Sequence, residues 1–505
     1  MKKQSLAKIL VIVLVLCAIC APLASCGGSK TPDQQTTTEN ADATKEEVTT
    51  SNVDEYGRTI VECDVVTQKL NFDAQPVTIL ATEDRKFETY DEDGIAGDTM
   101  NEALYSRNMF VENAVNVELD FRYCAYTSQN RTMMQKIRNS TTGAEDPYDI
   151  VLPHAYYSTP LVAENRCSNL LSVPYLDFDK PWWNSTMNEE MSLNNQLYIG
   201  IGDFSLSSIR NTFCMFYNKT ILRDFNRSLD IYEVVEDGDW TVESFKSIVK
   251  DIYTDRDETP GQSAGDLFGF VTSDHAFNAD AFLAGFNVKV TNRTEDDKVM
   301  IGFGDSLSIT AFDVTRELYH LDETFLCGHN GYLDVRKMFS EGQAAFVAEM
   351  FCMTDTIGKE MTGYGIIPVP KLNDDQDDYK STSQEGFSAL IIPANIAGDE
   401  LDRTTATLEA LCYASYNRIV PLYFEKILKL RYSPEVEDSR MFDLILNSRY
   451  YNFGFVYSNS ISNILWTWRT NTVTDVNMAR YWNNENGATY DAALAKLLEY
   501  FYPEG

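Results

Sequence analysis

The candidate nucleophiles of this chain lack the partners that catalysis requires. Gly304-Asp305-Ser306-Leu307 spells a serine-nucleophile motif, but it lies in the middle of the chain, and the last histidine of the sequence is His329. A serine becomes a strong nucleophile only beside a base that accepts its proton. The sequence contains no Walker loop and no H-E-x-x-H motif. These observations predict a protein that is not an enzyme.

Metal-ligating residues are also poorly arranged. The four histidines, His154, His275, His320 and His329, show no helical spacing of the kind that zinc sites use. The acidic stretch over residues 251–258 could hold Ca²⁺, but its glycine is misplaced for a calcium loop, and a solvated face is the favoured interpretation. We therefore expect no metal and no cofactor.

Aromatic and carboxylate side chains offer a different chemistry, the binding of a sugar. A pyranose ring has a face of C–H groups that packs on an aromatic ring, and an edge of hydroxyl groups that need hydrogen-bond partners. The chain is 12% aromatic, and its 76 acidic residues supply carboxylates. A glycoside hydrolase uses the same residue types, with two carboxylates about 5–9.5 Å apart. The sequence leaves that alternative open.

The N-terminal residues carry the pattern of a lipoprotein signal. Three lysines within residues 1–8 precede an apolar run over 9–20, and Leu23-Ala24-Ser25-Cys26 comes next. The run is shorter than the roughly 18–20 residues that span a bilayer, and the small residues before the cysteine suit a signal peptidase. Residues 1–25 are therefore predicted to be a signal peptide, and Cys26 the lipidated first residue of a membrane-tethered protein.

The segment after Cys26 is polar, and the chain as a whole is strongly acidic. Residues 26–52 are rich in Thr, Gln, Asn, Asp and Glu, and they hold too few apolar groups to fold, which predicts a flexible tether. The formal net charge of −34 becomes −37 without the three lysines of the signal, because residues 1–25 contain no acid. Nucleic acid and anionic surfaces are therefore poor partners.

Cysteine usage predicts packing rather than cross-linking. Of the ten cysteines, seven come after Cys26, and no C-x-x-C spacing occurs. An odd number cannot pair completely. We expect buried small hydrophobic residues with at most one or two disulfides.

Beyond Pro76 the chain alternates between strand and helix patterns. Residues 77–82, 117–122 and 148–153 form short apolar or alternating runs typical of strands, and 99–116 and 128–139 are amphipathic helices. The β-α-β-α-β order predicts an α/β fold with a parallel sheet.

Polar and aromatic residues follow two of these predicted strands. Glu83 and Asp84 come directly after the first strand, and Tyr156 and Tyr157 come shortly after the third. Ligands of parallel sheets bind beyond the carboxyl ends of the strands. These four residues are therefore predicted to contact a ligand.

Six stretches of sequence resemble one known family. They are Tyr148-Asp-Ile-Val151, Lys180-Pro-Trp-Trp-Asn184, Phe216-Tyr-Asn-Lys219, Asp239-Trp-Thr-Val-Glu-Ser-Phe245, Phe339-Ser-Glu-Gly-Gln-Ala-Ala-Phe346 and Tyr364-Gly-Ile-Ile-Pro-Val-Pro-Lys371. In this order they resemble the family 1 extracellular solute-binding proteins, which are the maltose-binding-protein-like lipoproteins of ATP-binding-cassette (ABC) sugar importers. The resemblance covers most of residues 75–500.

The resemblance implies a two-lobe, periplasmic-binding-protein-like fold with a hinge and a ligand cleft between the lobes. Residues 53–206 and 364–425 would form lobe one, and residues 207–363 and 426–505 would form lobe two. Lobes of this kind close on their solute by a hinge motion.

The resemblance also implies aromatic platforms for the sugar. Trp466 best matches the ring that stacks on sugar in the family's C-terminal segment, and Trp468 is its neighbour. Glu349 and Phe351 end a predicted strand where the family presents Trp or another ring. Trp183 is a further candidate, although adjacent tryptophans such as this pair often pack inside their own lobe.

Together these features predict a lipid-anchored, monomeric protein on the extracytoplasmic face of the cell membrane. Its expected role is to capture a small-molecule carbohydrate, best an oligosaccharide, and to deliver it to the permease subunits of an ABC transporter. A surface polysaccharide-binding adhesin and a glycoside hydrolase are the alternatives.

Overall fold

A computed structural model describes residues 53–54, 58–94, 97–227, 229–257, 259–274, 278–328, 331–361, 363–424, 436–474 and 476–502. The predicted signal peptide, Cys26 and the tether lie outside the described residues. The strands are β1 (Gln75–Thr82), β2 (Val117–Cys124), β3 (Ile150–Val151), β4 (Phe213–Asn218), β5 (Phe268–Ser273), β6 (Thr291–Arg293), β7 (Val299–Ile301), β8 (Thr324–Cys327), β9 (Ala344–Met350) and β10 (Tyr364–Ile367).

The α-helices of the described residues include several single turns. They are α1 (Asp64–Thr67), α2 (Lys86–Thr89), α3 (Thr99–Val115), α4 (Arg131–Thr141), α5 (Ala155–Ala163), α6 (Ser185–Met191), α7 (Ser207–Arg210), α8 (Lys219–Asp224), α9 (Ile231–Glu236), α10 (Val242–Val249), α11 (Asn278–Gly285), α12 (Ser306–Tyr319), α13 (Tyr332–Ser340), α14 (Thr354–Glu360), α15 (Asp399–Pro421), α16 (Val436–Asn447), α17 (Phe453–Val456), α18 (Ile464–Asn471), α19 (Met478–Tyr481) and α20 (Gly487–Leu498).

The first lobe is built around a three-stranded parallel sheet in the order β2-β1-β3. Helix α3 connects β1 to β2, and α4 lies between β2 and β3. Asp98 caps the start of α3, and Asn116, in the left-handed conformation at φ 52°, ends it. The α/β fold with a parallel sheet predicted from the sequence is thereby confirmed.

The second lobe is built around a five-stranded mixed sheet in the order β10-β4-β9-β5-β8. Alternate residues of β4 enter different core clusters: Phe213 and Met215 pack on one side of the sheet, and Cys214 and Phe216 pack on the other. Both faces are therefore covered, which explains why this strand is apolar throughout rather than alternating.

Two segments run antiparallel to each other between the sheets, and the first of them includes the single turn α7. Gly200 bridges to Leu390, and Thr212 bridges to Ser383, directly before β4 begins. At the other end Ile391 bridges to Val151 of β3. The pair of segments thus joins the two lobes, as a hinge would.

The predicted division into lobes stays a prediction, and three observations bear on its boundaries. Strand β10 begins at Tyr364 and pairs with β4, which the division assigns to the other lobe. Near the C-terminus, Ser460 Oγ donates to Thr159 Oγ1 of α5 at 2.9 Å. Helix α18 packs on α11 of the second lobe. The C-terminal region thus contacts both lobes.

Trp182 and Trp183 form a buried cluster with one carboxylate on α15. Their indole N–H groups donate to the two oxygens of Glu409 at 2.8 and 2.7 Å. Both rings are almost fully buried. The predicted ligand candidate Trp183 therefore packs inside the first lobe, because Glu409 satisfies its only donor there.

The cysteines of the described residues are all free thiols. Six are buried, and Cys352 is half-buried. The expectation that they act as small hydrophobic core residues is confirmed.

A helix that crosses a bilayer needs about 20 mostly apolar residues. Among the described residues no helix combines the length and the apolarity that crossing a bilayer requires.

The carboxylate of Glu409 makes stability depend on pH. Burial raises the pKa of Glu409 to about 7, and the hydrogen bonds from Trp183 and Trp182 offset only part of that effect. The folded protein therefore binds this proton more tightly than the unfolded chain does, so the free energy of unfolding falls as the pH rises from about 4.5 to about 7. The shift corresponds to at most roughly 3 kcal/mol.

Glu409→Gln is expected to flatten this dependence, because the amide does not ionise. Urea unfolding at pH 5, 6, 7 and 8 measures it, with the exposed Glu341→Gln as a control that keeps the wild-type slope. Parallel curves for the wild type and Glu409→Gln would contradict the assignment.

Candidate functional site

The carboxyl ends of the three parallel strands meet at one edge of the first sheet. Glu83 and Asp84 follow β1, Tyr126 follows β2, and His154 follows β3. The Tyr126 ring stacks on the His154 ring with centroids 4.9 Å apart, and Asp84 Oδ2 lies 3.5 Å from His154 Nε2. The edge predicted from the sequence therefore brings Asp84 and the segment after β3 together.

His154 is neutral near pH 7. Burial and the charge of Arg85 lower its pKa to about 4. Arg85 Nη2 lies 2.7 Å from His154 Nε2, so the neutral ring accepts this hydrogen bond at Nε2. Burial opposes ionisation of Asp84, but the neighbouring positive charge of Arg85 favours it, and the pKa of Asp84 is lowered to about 2. Asp84 is therefore an anion with partners already in place.

A cavity of about 820 Å³ lies between helices α4 and α5 and the C-terminal region. Among the predicted site residues it brings together Tyr156, Tyr157 and Trp466. Its lining consists of hydroxyl, amide, arginine, aromatic and apolar groups: Ser128, Gln129, Arg131, Met134, Gln135, Arg138, Tyr156, Tyr157, Pro160, Asn459, Asn463 and Trp466.

The three rings at the cavity are exposed to different degrees. Trp466 on α18 is 54% exposed, although it is one of the largest side chains of the chain. Tyr156 and Tyr157 are half-buried, with ring centroids 5.0 Å apart at 77°. The hydroxyl of Tyr156 donates to Asn463 Oδ1 at 2.5 Å, which links the two walls. Rings held in this way can pack against a flat apolar face.

A buried ionic cluster positions both walls of the cavity. Arg469, one turn after Trp466, donates from Nε to Asp280 at 3.0 Å and from Nη2 to Glu385 at 2.5 Å. The backbone carbonyl of Glu385 accepts from the backbone N–H of Tyr156 at 3.0 Å. One residue, Glu385, therefore connects the wall of Trp466 to the wall of Tyr156.

The charges of this cluster depend on one another. Burial raises the pKa of Asp280 to about 7, and Arg469 offsets part of the rise. Burial disfavours the charged form of Arg469, but the negative charges of Asp280 and Glu385 outweigh the effect of burial and raise the pKa of Arg469. Arg469 is therefore a permanent cation at the centre of the cluster.

Six predicted site residues do not line the cavity, and two of them, Trp183 and Trp468, are tryptophans. Trp183 contacts Glu409 in the first lobe, as described above. Trp468 is almost fully buried against Phe303 and Phe312, and its indole donates to the Ala279 carbonyl at 3.2 Å. It faces the core because it lies two residues from Trp466 on a helix, on nearly the opposite side.

Glu349 and Phe351 are also core residues rather than cavity residues. Glu349 accepts from Arg336 at 2.8 Å, and it is 1% exposed. The Phe351 ring packs on Phe442 of α16 at 5.3 Å. Glu83 and Asp84 lie at the edge of the first sheet, and neither lines the cavity.

Sequence reasoning missed several residues of the site. Gln129 and Arg131 follow the end of β2, and the rule that points to the carboxyl ends of parallel strands could have located them, as well as Tyr126. Asn463 and Glu385 gave no such signal, because their roles depend on contacts between distant parts of the chain.

The serine motifs do not build a nucleophile. Asp305 caps helix α12 by accepting from the Ser308 N–H at 2.7 Å, so this motif is a helix start. Ser263, in Gly261-Gln-Ser-Ala-Gly265, has the spacing of a nucleophile elbow. It lies in the loop before β5 rather than at a strand-to-helix turn, and its hydroxyl donates to Asp257 at 2.5 Å.

The same loop holds an acidic cluster. Carboxylate oxygens of Asp255, Asp257 and Asp266 lie within 4.8 Å of one another. Both oxygens of Asp266 already accept backbone N–H groups, from Arg256 and Ser263, each at 2.9 Å. These contacts shape the loop.

Substituting Trp466 and Trp468 one at a time tests which of the two lies in the core. Trp468→Ala is expected to lower the free energy of unfolding by about 3–5 kcal/mol, because it leaves a cavity among aromatic rings. Trp466→Ala should cost less than about 1 kcal/mol, since the ring is largely exposed. Urea unfolding of the ligand-free variants measures both. Equal losses in the two variants would place Trp466 in the core.

Comparison with known proteins identifies the fold. No protein-family model and no curated protein matches the sequence. Among solved structures, the chain is similar to the GacH receptor of Streptomyces glaucescens, with 13% identity, a TM-score of 0.54, and coverage of 84% of this chain and 99% of that one.

Two further solved structures are similar to this chain. A cyclo/maltodextrin-binding protein solved with maltotetraose gives 10% identity, coverage of 85% of this chain and 96% of that one, and a TM-score of 0.52. The cyclic alpha-maltosyl-1,6-maltose binding protein from Arthrobacter globiformis gives 14% identity, coverage of 84% of this chain and 98% of that one, and a TM-score of 0.54. At these identities the likeness concerns the fold, and it confirms the fold implied by the sequence resemblance: the chain has the two-lobe, periplasmic-binding-protein-like α/β fold of these structures.

Proposed function

We propose that this protein is an extracytoplasmic solute-binding lipoprotein that captures an oligosaccharide and delivers it to an ABC transporter. The observation that carries the proposal is the lining of the 820 Å³ cavity, where Trp466, Tyr156 and Tyr157 lie among amide and hydroxyl side chains. The rings suit the C–H face of a pyranose, and the amides of Gln129 and Asn459 suit its hydroxyl groups.

The size of the cavity favours more than one sugar ring. Small-molecule sites typically have volumes of about 300–1,000 Å³, and this cavity lies in the upper part of that range. The related folds support the same solute class: one neighbour was solved with maltotetraose, and the GacH receptor was solved with acarbose.

Binding without cleavage agrees with the groups at the cavity. Hydrolysis of a glycosidic bond requires a carboxylic acid and a carboxylate on either side of it. Among the described residues that line the cavity, none is Asp or Glu. A binding protein needs no such pair, so this lining favours capture over hydrolysis.

Delivery and location rest on the N-terminal sequence. A lipid on Cys26 would hold the protein at the membrane, and residues 27–52 would give the folded part freedom to reach the permease subunits. An adhesin would share the binding chemistry, so the transport role rests on the lipoprotein signal together with the fold.

Substitution of Trp466 tests the sugar site. Trp466→Ala should weaken binding of an oligosaccharide by about thirtyfold to a thousandfold, because it removes a platform at the centre of the contact. Titration calorimetry with maltotetraose and a panel of other tetrasaccharides measures the affinity, with Trp240→Phe, a buried residue outside the cavity lining, as the matched aromatic control. Affinity that survives the loss of Trp466 would contradict the proposal. Conversion of any bound sugar to shorter products would establish the hydrolase instead.

Substitution of Cys26 tests the anchor. Cys26→Ala removes the thiol that would carry the lipid, so the protein is expected to remain unprocessed or to leave the membrane fraction. Fractionation of cells followed by immunoblotting measures this, and Cys20→Ala, within the predicted signal, serves as the control. If the amount of Cys26→Ala protein in the membrane fraction equals that of the wild type, the lipoprotein assignment is wrong.

A further inference from the structure

One helix supplies a charged stripe to the cavity. Arg131, Met134, Gln135 and Arg138 lie at positions i, i+3, i+4 and i+7 of α4, and all four line the cavity. The helix begins at Arg131, so the positive end of its dipole lies at the same place. Both features favour a negative group.

The sign of this lining is opposite to that of the chain. The sequence has 76 acidic and 42 basic residues. The described residues that line the cavity nevertheless include two arginines and no carboxylate. A lining with the composition of the whole chain would contain more carboxylates than arginines. The positive charge of the lining therefore distinguishes this cavity from the rest of the protein.

The two arginines differ in their partners. Arg138 makes a two-pronged ion pair with Glu164 through Nε at 2.8 Å and Nη2 at 2.7 Å, which neutralises its charge. Arg131 donates through Nε at 3.1 Å and Nη2 at 2.8 Å to the side-chain oxygen of Gln129, a neutral group. Within the described part of the chain, no carboxylate forms an ion pair with Arg131.

The acidic groups near the rings are already compensated. Asp84 lies 3.5 Å from both Arg85 and His154. Asp280 and Glu385 share Arg469, and the raised pKa of Asp280 reduces the net negative charge of that cluster. Of the charged groups that the structure describes at the cavity, Arg131 is therefore the one without a counterion.

We propose that the solute is an acidic oligosaccharide whose uronate carboxylate is bound by Arg131. This inference rests on the proposed function and deepens it. The planar guanidinium can bind a carboxylate through two parallel hydrogen bonds. A neutral sugar would instead remove water from Arg131 without supplying a counter-charge, which disfavours closure around it.

The test compares acidic with neutral sugars on the full mature protein. Titration calorimetry uses trisaccharides of galacturonic, glucuronic and mannuronic acid, each beside the neutral hexose trisaccharide of the same linkage. The uronate is expected to bind at least about tenfold more tightly than its neutral partner. Arg131→Gln should reduce that ratio by about tenfold to a hundredfold, as expected for a hydrogen-bonded charge.

Two variants complete the design. Arg122→Gln removes the same charge from an exposed position on β2, outside the cavity lining, and should leave the ratio unchanged. Arg131→Lys keeps the charge but loses the planar fork, and should give an intermediate ratio. Thermal melting of each variant confirms that folding is intact.

The outcomes separate this inference from the proposed function. If neutral trisaccharides bind as tightly as the uronates, or if the ratio survives Arg131→Gln, the acidic solute is ruled out while sugar capture stands. If no sugar of either kind binds, both are overturned.

Discussion

A buried arginine holds together the parts of the molecule that form the cavity. Arg469 is 6% exposed, and it is compensated by Asp280 of α11 and by Glu385, which are 189 and 84 residues away in the sequence. Leaving a buried charge without its partner costs about 3–5 kcal/mol. The second-lobe helix, the segment that joins the lobes, and α18 must therefore stay together. Trp466 on α18 and Tyr156 beside Glu385 take their positions from this constraint.

The fold of the first lobe follows from local sequence patterns. The strands found at β1 and β2 and the helix α3 agree closely with the expected ranges, because period-two and period-3.6 patterns report burial directly. The second sheet gave weaker signals: β4 is buried on both faces, so it shows no alternation. The order β10-β4-β9-β5-β8 depends on pairings between strands far apart in the chain, which no local pattern records.

The candidate site was predictable only in part. Tyr156 and Trp466 were found because one follows a parallel strand and the other matches a family segment. Trp468 could have been excluded, since Ile464, Leu465 and Trp468 form the buried face of α18 and Trp466 lies off it. Trp183 could not have been excluded from the sequence, because its partner Glu409 lies 226 residues later. Burial of an aromatic residue in a loop depends on what another part of the chain brings to it.

The thiols of the described residues have a consequence for how this protein can be made and where it can work. They are unpaired, and burial raises their pKa, as at Cys63, Cys167 and Cys412, so the reactive thiolate is scarce at neutral pH. The described lobes therefore owe their cohesion to packing and hydrogen bonds rather than to covalent cross-links. Folding needs neither an oxidant nor a disulfide isomerase to join these cysteines, and reductants in the surroundings have no bond among them to cleave. The same folded protein can serve a cell in anaerobic and in aerated surroundings.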